Sequence, residues 1–240
     1  MRVSVVVTTR DRPRLLDDAL ASIERQTRAS TEIRLADAGT APVDLAPRPG
    51  LTIVAAAGLR AAESRNRAAG GAGGDILAFL DDDDRWLPEH LAGLVAAIEA
   101  GVALAFRDSV IVRETVGADG TREDVDRRTI ARDWDDALMR TDDFLPPSAW
   151  GVRRSLFEEL GGFDPAFRFS DDWDFLLRAR QRTQPVRAPG VTVEIRMRAE
   201  GNASADFGPE RLADLRLLEA RHGLPALVPK TFWEVAETVS

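Results

Sequence analysis

The chain has 240 residues, 44% of them hydrophobic, which is enough for one large or two small domains with a proper core. Its net charge of -8, with no Lys/Arg block, argues against a nucleic-acid partner, which needs a basic face, while a nucleotide held through a metal stays compatible. With no cysteine and only two histidines, His90 and His222, a disulfide framework and a thiolate zinc site are excluded and a histidine metal site nearly so.

Val3 to Val7 is a β-branched run of the kind that parallel strands buried on both faces show. Asp11 reads as a helix N-cap, followed by Pro13 and by Leu15, Leu16, Ala19, Leu20 and Ile23 at helical spacing. Glu32 to Ala36 and Leu51 to Ala55 read as strands, and Ala61 to Ala69 as a small-residue helix carrying Arg65, Asn66 and Arg67. Ile76 to Leu80 is a short buried strand between glycines and four consecutive acids. This alternation implies right-handed crossovers, with Thr9, Arg10, Asp37 and Asp81 to Asp84 on one edge of a parallel sheet.

Pro88 opens a helix over Glu89 to Ala100, with His90 in its first turn and expected at the surface. Val102 to Phe106 and Ser109 to Arg113 read as two strands, Gly117 to Gly120 as a turn and Arg122 to Arg128 as a polar return. Asp133 to Pro147 has poor periodicity and reads equally as a plain surface loop or as a grip on a second substrate. Ser148 to Val152 reads as a strand, Arg154 to Leu160 as a short helix, Phe175 to Arg182 as a helix opened by acids, and Val191 to Arg196 as the last strand. Pro209 to His222 is an amphipathic helix, and Phe232-Trp233 is expected to pack the tail back. No apolar run approaches ~20 residues, so a soluble cytoplasmic protein without a transmembrane segment is expected, and peripheral membrane contact stays open.

Two acidic clusters stand out, Asp81-Asp82-Asp83-Asp84 and Asp171-Asp172-Trp173-Asp174, about 90 residues apart. Four adjacent anions at a strand end repel one another unless something positive sits against them, and a hard divalent cation, Mg²⁺ or Mn²⁺, suits oxygen ligands. A solvated acidic turn is the alternative for the first cluster, and capping by Ser170 or Asp171 for the second, although capping needs no more than one or two of those acids.

These segments resemble glycosyltransferase family 2, with its GT-A fold. Val5 to Pro13, Asp37-Ala38-Gly39-Thr40, Ser64-Arg65-Asn66 with Asp75 to Trp86, and Gly161-Gly162-Phe163-Asp164 with Asp171 to Asp174 are similar, in order, to the family's motifs. The resemblance implies an α/β fold with a mostly parallel sheet flanked by helices and a small antiparallel element. It spans residues 1–205, with the nucleotide part at about 1–106 and the acceptor part at about 107–205. Residues 206–240 are expected as a helical extension.

The resemblance also implies roles. Asp37 would bond the nucleobase, with Thr9 and Arg10 in its pocket, and Arg65 would approach the pyrophosphate. Asp83 and Asp81 would hold Mn²⁺ or Mg²⁺, with Asp81 or Asp82 on ribose or metal-bound water. Asp172 would be the catalytic base, with Asp171 second in line and Asp174 supporting the loop; where many relatives carry a metal-binding His, either Glu200 substitutes for it or that ligand is absent. The expected reaction moves a sugar, with inversion, from a nucleoside-diphosphate sugar to a hydroxyl on a glycan, lipid-linked sugar or small molecule, in polysaccharide, cell-envelope glycan or glycoconjugate synthesis. A nucleotidyltransferase and a non-catalytic sugar-nucleotide or calcium-binding module are the competing expectations. The first would want a Gly-rich, Lys-bearing phosphate loop, and Thr8 to Pro13 offers none.

Overall fold

The computed structural model describes residues 1–117, 121–198 and 207–239. Its strands are β1 (Val3–Thr9), β2 (Glu32–Asp37), β3 (Leu51–Ala55), β4 (Ile76–Asp81), β5 (Arg85–Trp86), β6 (Leu104–Val116), β7 (Arg122–Ile130), β8 (Trp150–Arg153) and β9 (Val186–Met197). The helices are α1 (Pro13–Glu24), α2 (Ala61–Ala69), α3 (His90–Glu99), α4 (Arg154–Glu159), α5 (Asp171–Arg180), α6 (Pro209–His222) and α7 (Phe232–Val239). One sheet runs in the order β3-β2-β1-β4-β8-β6-β9-β5, with β7 beside β6.

The first half of the sheet is parallel because each strand returns through a crossover, and its register sets the site. Thr9 lies beside Asp37, and Thr8 beside Asp81, so three strand ends and their polar residues share one edge. β1 is buried along Val3, Val5, Val6 and Val7, as its unbroken apolar run requires. The second half is mixed. β8 runs antiparallel to β4 and β6, β7 antiparallel to β6, β5 antiparallel to β9, and β9 parallel to β6.

Beneath the site lies an aromatic cluster in which Phe79 meets Trp150, Phe157 and Phe163 at centroid distances of 4.9, 5.6 and 5.1 Å, and Trp150 stacks on Phe175 at 5.3 Å. Such pairs add stability beyond the area they bury. At the far end the indole of Trp233 meets two guanidinium groups, Arg113 at 3.9 Å and Arg128 at 4.7 Å from its centre, which fixes α7 against the β6–β7 hairpin.

Several expectations need correction. His90 is not at the surface. It is fully buried, stacked on Trp86 at 4.4 Å, with Nδ1 3.0 Å from the Thr192 hydroxyl, because β9 covers this face of α3. Asp11 does not cap α1. It adopts φ 55°, and its carboxylate accepts from the Thr40 amide and hydroxyl instead. The two strands expected over 102–113 are one, β6. The polar pair Arg107-Asp108 does not break it, because Asp108 accepts both Arg187 and the Gly190 amide at a register shift against β9. β9 begins five residues before the expected Val191, and the turn at 118–120, the loop at 201–204 and Glu200 lie outside the described residues.

Candidate active site

The carboxylates after β4 part company as soon as the strand ends. Asp82 turns inward, where it is fully buried, and accepts from the Thr9 hydroxyl at 2.6 Å while pairing with Arg12 at 2.5 Å. Burial pushes its carboxyl up to about 7 despite Arg12. Asp84 also turns inward, accepting from the Ser148 hydroxyl at 2.6 Å and the Arg196 amide at 3.1 Å, and burial raises it well above the ordinary carboxylate range. Asp81 and Asp83 face outward into a cavity. Asp83 pairs through Oδ2 with Arg12 at 2.9 Å and Arg198 at 2.8 Å. The positive partner that this cluster demanded is therefore supplied, in this structure, by arginines from 71 and 115 residues away in the chain.

The second cluster reaches the first through Arg65. Its guanidinium is buried and forked, donating to Asp81 at 2.7 Å and to Asp171 at 2.8 Å. The next residue locks the geometry. The Asn66 amide donates to the Phe163 carbonyl at 2.6 Å and accepts the Phe163 amide at 2.9 Å, pinning α2 to the Gly161-Gly162-Phe163 turn. Gly162 has φ 72°, and a Cβ there would sit 2.5 Å from Asn66 Oδ1, so only glycine fits.

In the first turn of α5 the acids divide their work. Asp171 is buried against Arg65. Asp172 is half-buried and opens to the cavity, its carboxyl pushed up to about 7 by burial first and by the Asp171 charge next, with Arg65 and Arg211 opposing. Asp174 is fully buried and serves structure, accepting Arg178 at 2.8 Å, Arg221 at 3.1 Å and His222 at 2.9 Å, and so joins α5 to α6. Ser170 precedes the helix without capping it through its side chain, and its hydroxyl instead accepts from Arg211.

The cavity, about 230 Å³, lies between Asp81, Asp83 and Arg65 on one side and Asp171 and Asp172 on another, and residues of the C-terminal stretch close it, among them Arg211 and Lys230. Asp143, in the segment that reads from sequence equally as a plain loop or as a grip on a second substrate, also lines it, though the sequence did not single it out as a site residue. Asp143 follows Asp142, which pairs with Lys230 at 2.5 Å.

The other expected residues sit as follows. Asp37 Oδ1 accepts the Gly39 amide at 3.0 Å and Oδ2 the Val43 amide at 2.7 Å, so its carboxylate shapes the 38–43 loop at the strand edge. Thr9 is buried against Asp82, and Arg10 is exposed, donating to the Leu59 carbonyl. Thr9, Arg10 and Asp37 therefore lie on the sheet edge beside the cavity lined by Asp81, Asp83, Arg65, Asp171 and Asp172, while Asp82 is enclosed beneath it.

The model of glycosyl transferase family 2 matches residues 4–161. The chain belongs to glycosyltransferase family 2. An uncharacterized glycosyltransferase of Bacillus subtilis, YwdF, is 34% identical over 97% of this chain and 88% of its own length. An uncharacterized glycosyltransferase of Haemophilus influenzae is 29% identical over half of this chain and 41% of its own. Among solved structures, S. aureus TarS 1-349 in complex with UDP-GlcNAc superposes with a TM-score of 0.66 at 18% identity, covering 92% of this chain and 66% of that one. At that identity the likeness shows the fold alone, the GT-A arrangement of a mixed α/β sheet. The family 2 chain is a transferase, and among its described residues no helix is long and apolar enough to cross a membrane.

Proposed function

We propose that this family 2 enzyme transfers a sugar, with inversion, from a nucleoside-diphosphate sugar to an acceptor hydroxyl in glycan assembly. The observation that carries it is that Asp172, with a carboxyl at about 7, opens to the same cavity as Asp81 and Asp83, with Arg65 joined to Asp81 and to Asp171, the neighbour of Asp172. Residues 1–205 form the catalytic part in this reading, with 206–240 as an extension that closes the acceptor side.

The acceptor hydroxyl gives its proton to Asp172 as its oxygen bonds to the anomeric carbon, and the bond from that carbon to the diphosphate oxygen breaks, so one displacement inverts the centre. A base with a carboxyl near 7 is matched to work at neutral pH, whereas an ordinary carboxylate would take the proton weakly. Arg65 holds Asp81 and Asp171 in place and puts positive charge where the departing diphosphate develops negative charge. Thr9, Arg10 and Asp37 are assigned to the nucleoside, with Asp82 supporting them from below.

Mn²⁺ or Mg²⁺ needs only one or two carboxylates, with phosphate oxygens and waters completing its shell. The residues fit that demand. Asp83 engages both arginines through Oδ2, leaving Oδ1 without a hydrogen bond among the described residues, and Asp81 also lines the cavity. No cluster of three candidate ligand side chains occurs among the described residues, so Asp83 and Asp81 would hold the ion only together with the donor. When bound, the ion would neutralise charge on the leaving diphosphate.

The reading is tested by thermal shift with UDP, GDP and TDP and their sugars, with and without Mn²⁺. A metal-dependent shift with one nucleotide family, followed by transfer or hydrolysis of its sugar, is expected. Binding without turnover on any acceptor or water would favour a non-catalytic module, and attack at the α-phosphate would favour a nucleotidyltransferase.

A further inference from the structure

We propose that Asp143 is a specificity-determining residue that grips a second hydroxyl of the acceptor beside the one Asp172 deprotonates, so that the acceptor is an uncharged sugar ring or polyol presenting two adjacent free hydroxyls. The proposal rests on the reading of Asp172 as the base.

Asp143 is held as an instrument of binding would be. Phe144 and Leu145 after it are buried in the core, and Asp142 before it is fixed by Lys230. Its own Oδ1 accepts the Leu145 amide at 3.0 Å, while Oδ2 carries no hydrogen bond among the described residues. The loop that bears it is tied to the base's helix at two points, by the Trp173 indole donating to the Met139 carbonyl at 2.9 Å and by Arg180 paired with Asp136 at 2.7 Å. Two half-buried carboxylates from separate elements, Asp143 and Asp172, thus open to one cavity.

The ligand class follows from what such a wall can accept. A carboxyl oxygen accepts a hydrogen bond from a hydroxyl whether or not the group is ionised, and two carboxyl groups facing one space suit two hydroxyls. Trp173 and Phe169 add apolar surface for the face of a ring, and about 230 Å³ is below the ~300–1,000 Å³ of sites for drug-sized ligands, which suits one ring at a time. A phosphate or carboxylate on the acceptor would meet Asp142, Asp143, Asp171 and Asp172 together, while of the lining cations Arg65, Arg168, Arg196 and Lys230 are already paired with acids and Arg211 donates to Ser170. Burial and the Asp172 charge raise Asp143 well above the ordinary range, which agrees with two carboxyl groups close to one another.

The test uses the full chain labelled with ¹³C at aspartate carboxyls, the two signals assigned with Asp143→Asn and Asp172→Asn, and methyl glycosides of glucose, galactose and mannose with their monodeoxy analogues as probes. Glycosides with adjacent free hydroxyls are expected to shift both the Asp143 and the Asp172 signals, and one monodeoxy analogue to lose the Asp143 shift. In transfer assays Asp143→Asn should raise the acceptor KM about tenfold or more, with a smaller change in kcat. Glycosides that shift Asp172 without Asp143, monodeoxy analogues that shift both equally, or no shift with any glycoside would overturn the proposal. Failure of the wild type to use any nucleoside-diphosphate sugar would instead overturn the proposed function, and the carboxyl signals would still decide Asp143.

Discussion

Arg65 donates to Asp171 across 106 residues of chain, and with its other branch to Asp81, so one buried cation is shared by both acidic clusters. Replacing it with Met leaves Asp171 buried without its counter-ion. Breaking a buried pair by removing one partner typically costs about 3–5 kcal/mol. Urea unfolding of Arg65→Met should show a loss of that order, and Arg65→Met/Asp171→Asn should recover part of it. Additive losses in the double variant would mean that the pair is not coupled.

Asp172 sets a pH dependence of rate. A base with a carboxyl at about 7 accepts a proton only when ionised, so transfer should rise with pH through about 7 and level above it. Asp172→Asn should abolish transfer at every pH while donor binding, read by thermal shift, persists. Retained transfer in that variant would remove Asp172 from the role.

The same group sets a pH dependence of stability with the opposite slope. Between its ordinary value of 3.8 and about 7 the folded chain holds a proton that the unfolded chain has lost, so this contribution falls as pH rises through that window and is flat above it. Comparing wild type with Asp172→Asn by denaturant titration at pH 5 and pH 8 isolates it. The variant should gain relative to wild type at pH 8, and equal differences at the two pH values would refute the assignment.

Asp83 already faces two guanidinium groups in the free enzyme, so Mn²⁺ alone competes with Arg12 and Arg198 for it. Calorimetry should therefore show weak Mn²⁺ binding without nucleotide and tighter binding once a nucleoside diphosphate is present. Asp83→Ala should remove the nucleotide-linked component. Tight binding of Mn²⁺ alone would contradict this.

His90 is buried neutral, held well below its ordinary 6.5 by burial and by Arg107. The unfolded chain takes up a proton below 6.5 that the folded chain refuses, so stability from this residue is present above 6.5 and drains away as pH falls below it. His90→Phe, which keeps a ring against Trp86, should flatten that acid loss in urea titrations. An unchanged acid limb would place the loss elsewhere.

What the sequence disclosed and what it withheld follow from distance along the chain. β1 and β4 are readable because each buries a continuous apolar run, and the acids that end β4 or open α5 stand out locally. His90 follows Pro88 and Glu89 in a polar-looking turn, and its cover arrives from Thr192, 102 residues later. Asp108 looks like a strand breaker until Arg187 arrives. The charge logic of Asp81 to Asp84 called correctly for positive partners, but no spacing rule could name Arg12, Arg65 and Arg198 as the ones nearest to hand. Asp143 is hidden for the same reason, since only the folded loop turns it toward Asp172.

The contact of Asp174 with Arg221 and His222 makes α6 a tethered ligand for the helix that carries the proposed base. A tether gives such a ligand a high effective concentration, and its occupancy is then set by how well α6 itself folds. Changes on the outer face of α6 that weaken it are then expected to loosen the seating of α5 through Asp174, and with it the position of Asp172. Engineering the far end of this chain is a way of tuning its chemistry.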